Sequence, residues 1–326
     1  MSTRFRRVIL SSCVIFAFLT LASPTYGILL ISSSTNSSLP VRLYVTDIQS
    51  DTVTVLDGTT NRIITTIPVG VYPALAAFDP ENGNVYVANV ISNSISVISV
   101  MKDEVIKTFT GFEEPASITF ARGNLWVGED AATANDVAIV NPDSGNVITR
   151  VPVGRDPAYI AYSPISNEIY VANNGEPSVS VINASLPYNV VTKIFVGNYP
   201  VGVAYNPEDR NVFVAATNVF VITPKNVIKT IIASVPGPYA ETYNGHNHDI
   251  YVTSAGSGSV SIINSTTYAV VRTVSAGSPQ SCAAFNPVNY RIYLCEPGIA
   301  GLVQLKGGKL KNTINILSEP FDIAVS

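Results

Sequence analysis

A unit of about 40 residues repeats seven times along this chain of 326 residues. Each unit carries an aromatic residue followed by an aliphatic one in a short β-like run, and successive aromatic residues lie 42, 40, 44, 43, 38 and 42 positions apart. The seven pairs are Tyr44-Val45, Tyr86-Val87, Trp126-Val127, Tyr170-Val171, Phe213-Val214, Tyr251-Val252 and Tyr293-Leu294. Such a period, with short alternating strands and no helical pattern, is typical of a β-propeller.

The fourth unit shows how one repeat is built. Residues 159–162, 168–173, 178–183 and 190–197 alternate as strands do, and a turn with Pro and Asn separates the first two runs. Four strands joined by hairpins are the content of one propeller blade. The sequence therefore predicts an all-β fold, a seven-bladed β-propeller with four-stranded antiparallel blades, over residues 41–326.

The phase of the repeat predicts how the ring closes. The run that follows each closing Pro is expected to be the innermost strand of a blade, and residues 321–326 have this pattern. The first unit, in contrast, begins with its second strand at Arg42. We therefore expect a composite closing blade that joins the C-terminal strand to residues 41–70 and protects both terminal edges.

The composition limits the classes of partner. Charged residues make up only 13% of the chain and hydrophobic residues 47%, whereas about a quarter of the residues of an average soluble protein are charged. The formal net charge of −4 provides no basic field for a polyanion. We expect no nucleic-acid partner, because that binding depends on clustered Lys and Arg.

The N-terminal residues predict export. Arg4, Arg6 and Arg7 precede an apolar run over residues 8–22, which is the layout of a secretory signal. We interpret residues 1–27 as a signal peptide or signal anchor and residues 28–40 as a Ser/Thr-rich spacer. Cleavage is the preferred interpretation, but residues 8–31 are also long enough to span a bilayer, so membrane contact through an uncleaved anchor stays open. The expected location is secreted or cell-surface.

Two cysteines remain beyond the targeting segment. Cys282 and Cys295 lie on consecutive strand-like runs, and pairing Phe285 with Ile292 across the intervening turn places the two cysteines opposite each other. Directly opposed strand residues lie within disulfide range. We expect a disulfide; the alternative is a pair of small buried apolar side chains.

Three Asn-x-Ser/Thr sequons occur in this chain, at Asn36, Asn183 and Asn264. The last two occupy the same place in their repeats, after the third strand. Glycosylation is expected if the host performs it, and a turn-forming Asn is the alternative.

The chain has two histidines, His246 and His248, in one turn-like segment. Their spacing makes them weak candidates for a metal site, but an exposed turn is the preferred interpretation because no usual third ligand accompanies them. No nucleophile elbow, phosphate-binding loop or zinc-protease motif occurs. We therefore predict no catalytic residue and no cofactor, and a divalent cation at the channel mouth has no support from the sequence.

The repeats resemble the YVTN family of β-propeller repeats. The segments Tyr44 to Asp47, Tyr86 to Asn89, Tyr170 to Asn173 and Tyr251 to Ser254 match the Tyr-Val-Thr-Asn signature, and a Pro-Val-Gly-x-x-Pro-like segment closes several units. Units three and five depart from the signature with Trp126 and Phe213. The family includes archaeal surface-layer-like members, and lactonase-type seven-bladed propellers are more distant relatives.

The resemblance also implies a candidate binding rim. In related propellers the loop after the second strand and the loop between blades share one face around the channel mouth. The residues that this geometry places there are Asp47, Asn89, Glu129, Asn173, Ala216, Ser254 and Glu296, with Arg155, Asp156 and Tyr199 beside them. They are candidate ligands for a cation or a polar molecule; alternatively, they hydrogen-bond backbone groups in tight loops.

These observations favour a non-enzymatic extracellular or cell-surface propeller that acts as a binding scaffold. Its partner would be a protein or a glycan at the cell surface or envelope. The alternative is a secreted lactonase-like or lyase-like enzyme with its site at the channel mouth, which the scarcity of His disfavours.

Overall fold

A computed structural model describes residues 39–131, 134–316 and 319–326. These residues form seven four-stranded antiparallel sheets, which we name blades A to G in chain order. The predicted seven-bladed β-propeller is therefore confirmed. The predicted signal segment and most of the predicted spacer lie outside the described residues.

The first four blades are built from the following strands. Blade A contains β1 (Arg42–Asp47), β2 (Thr52–Asp57), β3 (Ile63–Pro68) and the last strand of the chain, β28 (Pro320–Val325). Blade B contains β4 (Pro73–Asp79), β5 (Asn84–Asn89), β6 (Ser94–Ser99) and β7 (Glu104–Thr110). Blade C contains β8 (Pro115–Ala121), β9 (Asn124–Asp130), β10 (Asn135–Val140) and β11 (Val147–Pro152). Blade D contains β12 (Pro157–Ser163), β13 (Glu168–Asn173), β14 (Ser178–Asn183) and β15 (Val190–Phe195).

The remaining three blades follow the same order. Blade E contains β16 (Val203–Tyr205), β17 (Val212–Ala215), β18 (Val219–Ile222) and β19 (Ile228–Ile232). Blade F contains β20 (Pro238–Tyr243), β21 (Asp249–Ser254), β22 (Ser259–Asn264) and β23 (Val270–Ser275). Blade G contains β24 (Cys282–Asn286), β25 (Arg291–Glu296), β26 (Gly301–Lys306) and β27 (Lys309–Asn315), with a 3₁₀ turn at Pro297–Ile299. The fifth repeat, which is short in sequence, forms the blade with the shortest strands.

The ring closes through the predicted composite blade. Strand β28 pairs antiparallel with β1, with Val325 opposite Leu43 and Ile323 opposite Val45. The Ser326 hydroxyl donates to the Pro40 carbonyl oxygen at 3.0 Å, so the last residue is hydrogen-bonded to the segment that precedes β1. Pairing of β1 on both sides leaves neither terminal strand as an open edge.

Apolar packing between blades holds the ring together. The first three strands of each blade are largely buried, whereas the outermost strands alternate between buried and exposed residues. Clusters of buried residues join blades A and B, C and D, E and F, and F and G. A larger cluster contains inner-strand residues of all seven blades, including Leu75, Tyr159 and Phe321, and fills the centre of the disc.

We call the two faces of the disc top and bottom. The top face carries the turns between second and third strands and the loops between blades. The bottom face carries the turns between first and second strands and between third and fourth strands.

The repeated aromatic residue of the second strand joins each blade to the next on the bottom face. In four blades a Tyr hydroxyl donates to the turn between the third and fourth strands of the following blade. The pairs are Tyr44 with Asp103 at 2.9 Å, Tyr86 with the Pro142 carbonyl at 3.0 Å, Tyr170 with Asn226 at 2.7 Å, and Tyr293 with Asn61. We call these contacts hydroxyl clasps.

The two units that depart from the Tyr-Val pattern replace the clasp with ring packing. Trp126 packs edge-on against Tyr188 of blade D, with ring centroids 5.7 Å apart. Phe213 packs against Tyr268 of blade F at 6.1 Å. Both partners occupy the turn that supplies the hydrogen-bond acceptor elsewhere. The loss of the hydroxyl is therefore matched by an aromatic residue in the next blade.

Candidate functional site

The loops between blades place a strained residue on the top face immediately before a Pro that begins or shortly precedes an inner strand. Four such residues have positive φ although none is Gly: Tyr72, Glu114, Asp156 and Tyr199. This backbone conformation costs about 1–3 kcal/mol and persists where surrounding structure imposes it. In three of the loops an Asp or Asn of the preceding blade accepts the strained residue's amide proton, in the pairs Tyr72 with Asp51, Glu114 with Asn93 and Asp156 with Asn135. The top-face loops are thus fixed by the neighbouring blade.

Two of the candidate rim residues, Asn89 and Asn173, are fully buried. The Asn173 amide donates to the hydroxyls of Ser178 and Ser180 at 2.9 and 3.0 Å, and its oxygen accepts the Gly154 amide proton at 3.0 Å. Asn89 donates in the same way to two serines of β6. The Asn173 contacts join a hairpin to the loop between blades, whereas the Asn89 contacts stay within the hairpin of β5 and β6.

Blade C replaces this Asn and Ser arrangement with two carboxyl groups. Glu129, fully buried, accepts the Glu113 amide proton at 2.8 Å and forms an ion pair with Arg150 at 2.7 Å. Asp136 lies opposite Glu129 across the strand pair. Burial raises the pKa of Asp136, and a hydrogen bond with Glu129 and the Glu129 charge raise it further.

A second carboxyl pair lies beside the first. Burial raises the pKa of Asp130, as do the charge of Asp156 and a hydrogen bond with it, with a smaller effect of Glu114. Blade C therefore carries two carboxyl groups at its top end, Asp130 and Asp136, whose pKa is raised by burial and by neighbouring acids.

Asp47 and Glu296 each bond to their own loops. Asp47 accepts the amide protons of Gln49 and Ser50 at 3.1 and 3.0 Å. Glu296 is buried and accepts from the Ser278 hydroxyl and the Gln280 amide, and burial raises its pKa. Of the other rim positions, Ala216 is buried, and Ser254 is buried and accepts from the Ser257 hydroxyl.

The remaining rim candidates lie at the top end of blade D. Arg155 is exposed, and Tyr199 and Phe195 are 71% and 69% exposed. The Arg155–Asp156 segment packs on the hairpin turn at Gly175, and the Asn174 side chain donates to the Pro200 carbonyl oxygen at 3.4 Å. We call Arg155, Phe195 and Tyr199 the blade D patch.

The buried polar residues of the inner strands were not predicted from the sequence. Glu241 and Asp322 are fully buried on inner strands, and burial raises the pKa of both. Asp322 accepts the Ala76 amide proton of blade B at 2.8 Å, and Glu241 accepts the Ala215 amide proton of blade E at 2.9 Å. Each carboxyl group thus links its blade to a neighbour.

Tyr159 lies on β12, the innermost strand of blade D. Burial raises its pKa, as do the charges of Asp322, Tyr239 and Glu241, which come from two other blades. Tyr159 is 1% exposed, so side chains close the channel at this level. A charged residue inside an otherwise apolar inner strand, such as Asp322 between Phe321 and Ile323, is the sequence signal that could have revealed this arrangement.

Both histidines lie in the turn between β20 and β21, where the preferred interpretation placed them. The His246 ring stacks on Tyr290 at 4.2 Å, and His248 contacts the Tyr243 hydroxyl at 2.7 Å and Glu208 at 3.3 Å. Within residues 39–131, 134–316 and 319–326, no group of three or more His, Cys, Asp or Glu side chains could hold a metal ion.

The predicted disulfide forms between Cys282 and Cys295, whose Cα atoms are 5.0 Å apart. The strand register that suggested it is confirmed, with Phe285 opposite Ile292. The bond joins the innermost strand of blade G to its neighbour.

The sequons Asn183 and Asn264 begin turns between third and fourth strands on the bottom face. Asn264 accepts the amide protons of Thr266 and Thr267 at 3.1 and 2.8 Å, and Asn183 accepts that of Ser185 at 3.1 Å. Asn36 lies outside the described residues. Glycosylation of these residues stays a prediction.

The part of the chain that the structure describes contains no helix with the length and apolar character needed to cross a bilayer. The two expectations for the N-terminal segment, cleavage or a retained anchor, stay predictions.

The fold and its closed centre define a seven-bladed β-propeller with structured top-face loops. A model of the YNCE-like beta-propeller family matches residues 6–295, and the chain belongs to this family. The more specific assignment to YVTN or surface-layer-like repeats stays an expectation. No curated protein matches the sequence.

Solved structures share the fold at low sequence identity. A functionally unknown protein from Desulfotomaculum acetoxidans DSM 771 is 14% identical, with a TM-score of 0.76 over 87% of this chain and 98% of that one. Kuenenia stuttgartiensis hydrazine synthase is 16% identical, with a TM-score of 0.68 over 81% of this chain and 92% of that one. Dihydro-heme d1 dehydrogenase NirN, solved in complex with DHE, is 11% identical, with a TM-score of 0.65 over 84% of this chain and 63% of that one. At these identities the likeness concerns the fold alone.

Proposed function

We propose that this propeller is a non-enzymatic binding scaffold outside the cell or on its surface, and that the top face contacts a protein partner. The observation that carries the proposal is the blade D patch, where two aromatic side chains and an Arg are exposed at the top end of blade D. Tyr and Arg are enriched among the residues that dominate protein–protein binding energy.

The surroundings of the patch support the same function. Tyr199 and its neighbour Asp156 adopt positive φ on loops that contact the hairpin of blade D. Loops fixed in this way lose little conformational freedom on binding, which favours affinity. The filled centre of the disc directs contact toward the rim, because Tyr159 and its neighbours occupy the channel interior.

Photo-crosslinking in the native host tests this proposal with the full chain. A benzoylphenylalanine residue at Tyr199 should form a discrete protein adduct that resists washing of intact cells. The matched control is the same residue at Ile165, which is 54% exposed on the bottom face of the same blade. The adduct should be lost when Arg155→Ala and Phe195→Ala are combined with the crosslinker. Equal adducts from both positions, adducts with glycans alone, or no adduct at Tyr199 would contradict the proposal.

A lactonase-like or lyase-like enzyme is the second candidate, favoured by one observation. Burial raises the pKa of Asp130 and Asp136, two carboxyl groups on the top face that lie next to other acids, and perturbed acids mark many active sites. A screen for lactone hydrolysis with metal analysis tests it. Turnover that disappears in Glu129→Gln would support the enzyme; no turnover with intact fold would leave the binding scaffold preferred.

A further inference from the structure

The hydroxyl clasp between blades D and E shows which hydrogen-bond partners meet on the bottom face at a blade boundary. The Asn226 oxygen accepts the Tyr170 hydroxyl proton at 2.7 Å, and its NH₂ group donates to the Glu168 carboxylate at 3.0 Å. One carboxamide therefore bridges a hydroxyl donor and a carboxylate acceptor that lie two residues apart on β13.

Blade F presents the same two groups, but the carboxamide that joins them belongs to the same blade and only donates: the Asn247 NH₂ group donates to Asp249 at 2.9 Å and to Tyr251 at 3.2 Å. Asp249 and Tyr251 begin β21 with the spacing of Glu168 and Tyr170. The Tyr251 hydroxyl accepts a proton from the Asn247 amide at 3.2 Å, but no described residue accepts the proton that this hydroxyl can donate.

Blades B and G show which hydrogen-bond partner the Tyr251 hydroxyl lacks. Tyr86 accepts from Asn82 at 2.8 Å, as Tyr251 does from Asn247, and then donates to the Pro142 carbonyl of blade C. Tyr293 accepts from Asn289 at 2.7 Å and then donates to Asn61 of blade A. At the boundary between blades F and G, the Tyr hydroxyl accepts a hydrogen bond from its own blade as in blades B and G. The hydrogen bond that it would donate to the next blade is absent among the described residues.

The turn of blade G explains the absence. Strands β26 and β27 are joined by Gly307 and Gly308, with φ of 58° and 68°, a two-residue hairpin turn that carries no side chain. A Cβ at Gly308 would lie 2.9 Å from Ile262 Cδ1, so the turn backbone packs directly on blade F.

A groove of about 200 Å³ remains at this boundary, lined by Asn247, Asp249, Tyr251, Ile262, Val271, Arg272, Gly307 and Gly308. The Arg272 guanidinium donates to the Gly308 carbonyl oxygen at 3.2 Å and fixes one wall. The groove thus combines a hydroxyl donor, a carboxylate and two aliphatic side chains.

We propose that this groove binds the acetamido group of an N-acetylated sugar. The carbonyl oxygen accepts the Tyr251 proton, the N–H donates to Asp249, and the methyl group packs against Ile262 and Val271. The ligand amide thereby takes the place that the Asn226 side chain occupies at the boundary between blades D and E. The site lies on the bottom face and does not depend on the proposed top-face function.

The lining favours an acetamido group over other small groups. A carboxylate ligand would bring a second negative charge next to Asp249 and has no N–H to donate to it, and the Arg272 guanidinium in the same lining already donates to the Gly308 carbonyl oxygen. A simple hydroxyl does not offer the planar acceptor and donor pair that fits both Tyr251 and Asp249. The glycine turn and Ile262, which is 3% exposed, limit the carbon substituent of the carbonyl to a small group such as methyl.

Titration of the full-chain protein with methyl N-acetyl-β-glucosaminide, followed by saturation-transfer NMR, tests the site. The acetyl methyl resonance should receive the strongest saturation, and methyl β-glucoside should not bind. Tyr251→Phe should weaken binding about tenfold, because it removes one hydrogen bond at a fixed ring position.

Two substitutions in the same turn form a matched pair. Gly308→Asn should abolish binding, because its side chain enters the groove, whereas Gly307→Asn should not, because a Cβ there meets no atom within 4 Å. Both positions have positive φ, which Asn tolerates, so the backbone cost is similar, but only Gly308→Asn requires Ile262 to shift, because its Cβ would lie 2.9 Å from Ile262 Cδ1. Melting temperatures of all variants identify any loss of fold.

Three results would overturn the proposal. The first is absence of binding by the wild-type protein. The second is equal affinity in the wild type, Tyr251→Phe and Gly308→Asn, which would place the sugar elsewhere. The third is tighter binding of propionamide than of the glucosaminide, which would assign the groove to primary amides of peptide side chains.

Discussion

The Tyr170 hydroxyl donates to the Asn226 side-chain oxygen at 2.7 Å across the boundary between blades D and E. The tyrosine belongs to the repeated Tyr-Val step, and its partner lies in a turn of the next blade. The aromatic residue of the repeat signature therefore contacts the next repeat, which explains why an aromatic residue recurs in every unit.

We predict that Tyr170→Phe lowers the free energy of unfolding by about 1–2 kcal/mol, because it removes the hydroxyl that lies 2.7 Å from the Asn226 oxygen and 3.1 Å from Glu168 Oε2. Tyr251→Phe is the matched control, since its hydroxyl donates to no described acceptor, and should cost less. Urea denaturation of both variants measures the difference. Equal losses would show that the hydroxyl clasp contributes nothing measurable.

Deletion of residues 320–326 should destabilise the whole disc. It removes the backbone pairing of β28 with β1 and the Asp322 link to Ala76, and it exposes the edge of β1. We expect the melting temperature to fall by about 10 °C or more, given about 2–4 °C per kcal/mol for a domain of this size. Calorimetry measures this shift, and an unchanged melting temperature would contradict the role of the composite blade.

Stability should fall as the pH rises from 4 to 8. Burial raises the pKa of Glu241 and Asp322, and it raises that of Asp79 to about 6. In the folded state these groups stay protonated, whereas in the unfolded chain they ionise above about pH 4. Their contribution to the free energy of unfolding is therefore complete below about pH 4 and is lost as the pH rises through their pKa values in the folded state. The pKa of Asp57, near the surface, is lowered chiefly by hydrogen bonds from Thr60, so the contribution of Asp57 to stability increases as the pH rises.

Urea denaturation at pH 4.5 and pH 8 measures this dependence. Asp79→Asn should reduce the difference between the two pH values by about 2 kcal/mol, because the amide keeps the acceptor for the Glu81 amide proton and cannot ionise. Greater stability of the wild type at pH 8 than at pH 4.5 would refute the prediction.

Removal of the disulfide with Cys282→Ala and Cys295→Ala should cost about 3 kcal/mol, the chain-entropy value for a loop of about this length. The sequence separation of the two cysteines is 13. Thermal unfolding of the double variant, compared with the reduced and oxidised wild type, checks the magnitude. Identical melting of oxidised and reduced protein would argue against a stabilising bond.

The mass of the mature protein from its native host should correspond to a chain cleaved near residue 27, with glycans at Asn183 or Asn264 and an oxidised cysteine pair. Both sequons lie in turns on the bottom face, where a glycan does not meet the packed interior. A full-length mass with unmodified asparagines would contradict export with cleavage and glycosylation together.

Much of this fold could be predicted because each blade repeats the same local pattern. The register that pairs Cys282 with Cys295 follows from one hairpin, and the composite blade follows from the phase of the repeat. Both inferences need only contacts within a unit or between the two ends of a closed ring.

The contacts between blades were harder to foresee. The hydrogen bond of Asp322 to Ala76 and the packing of Trp126 on Tyr188 depend on how neighbouring sheets are rotated, which no repeat spacing encodes. The rim was only partly predictable for the same reason. The position of Asn173 at the end of a strand is clear from sequence, but its bonds to Ser178 and Gly154 require the folded loops.

The pairing of β1 with strands on both sides has a mechanical consequence. A force applied at Leu39, along the direction of β1, acts parallel to the strand and therefore shears its hydrogen bonds with β2 and β28. These bonds share the load and must break together, whereas peeling an edge strand breaks them one at a time. A propeller closed in this manner resists pulling through its N-terminal side better than one whose first strand lies at an edge.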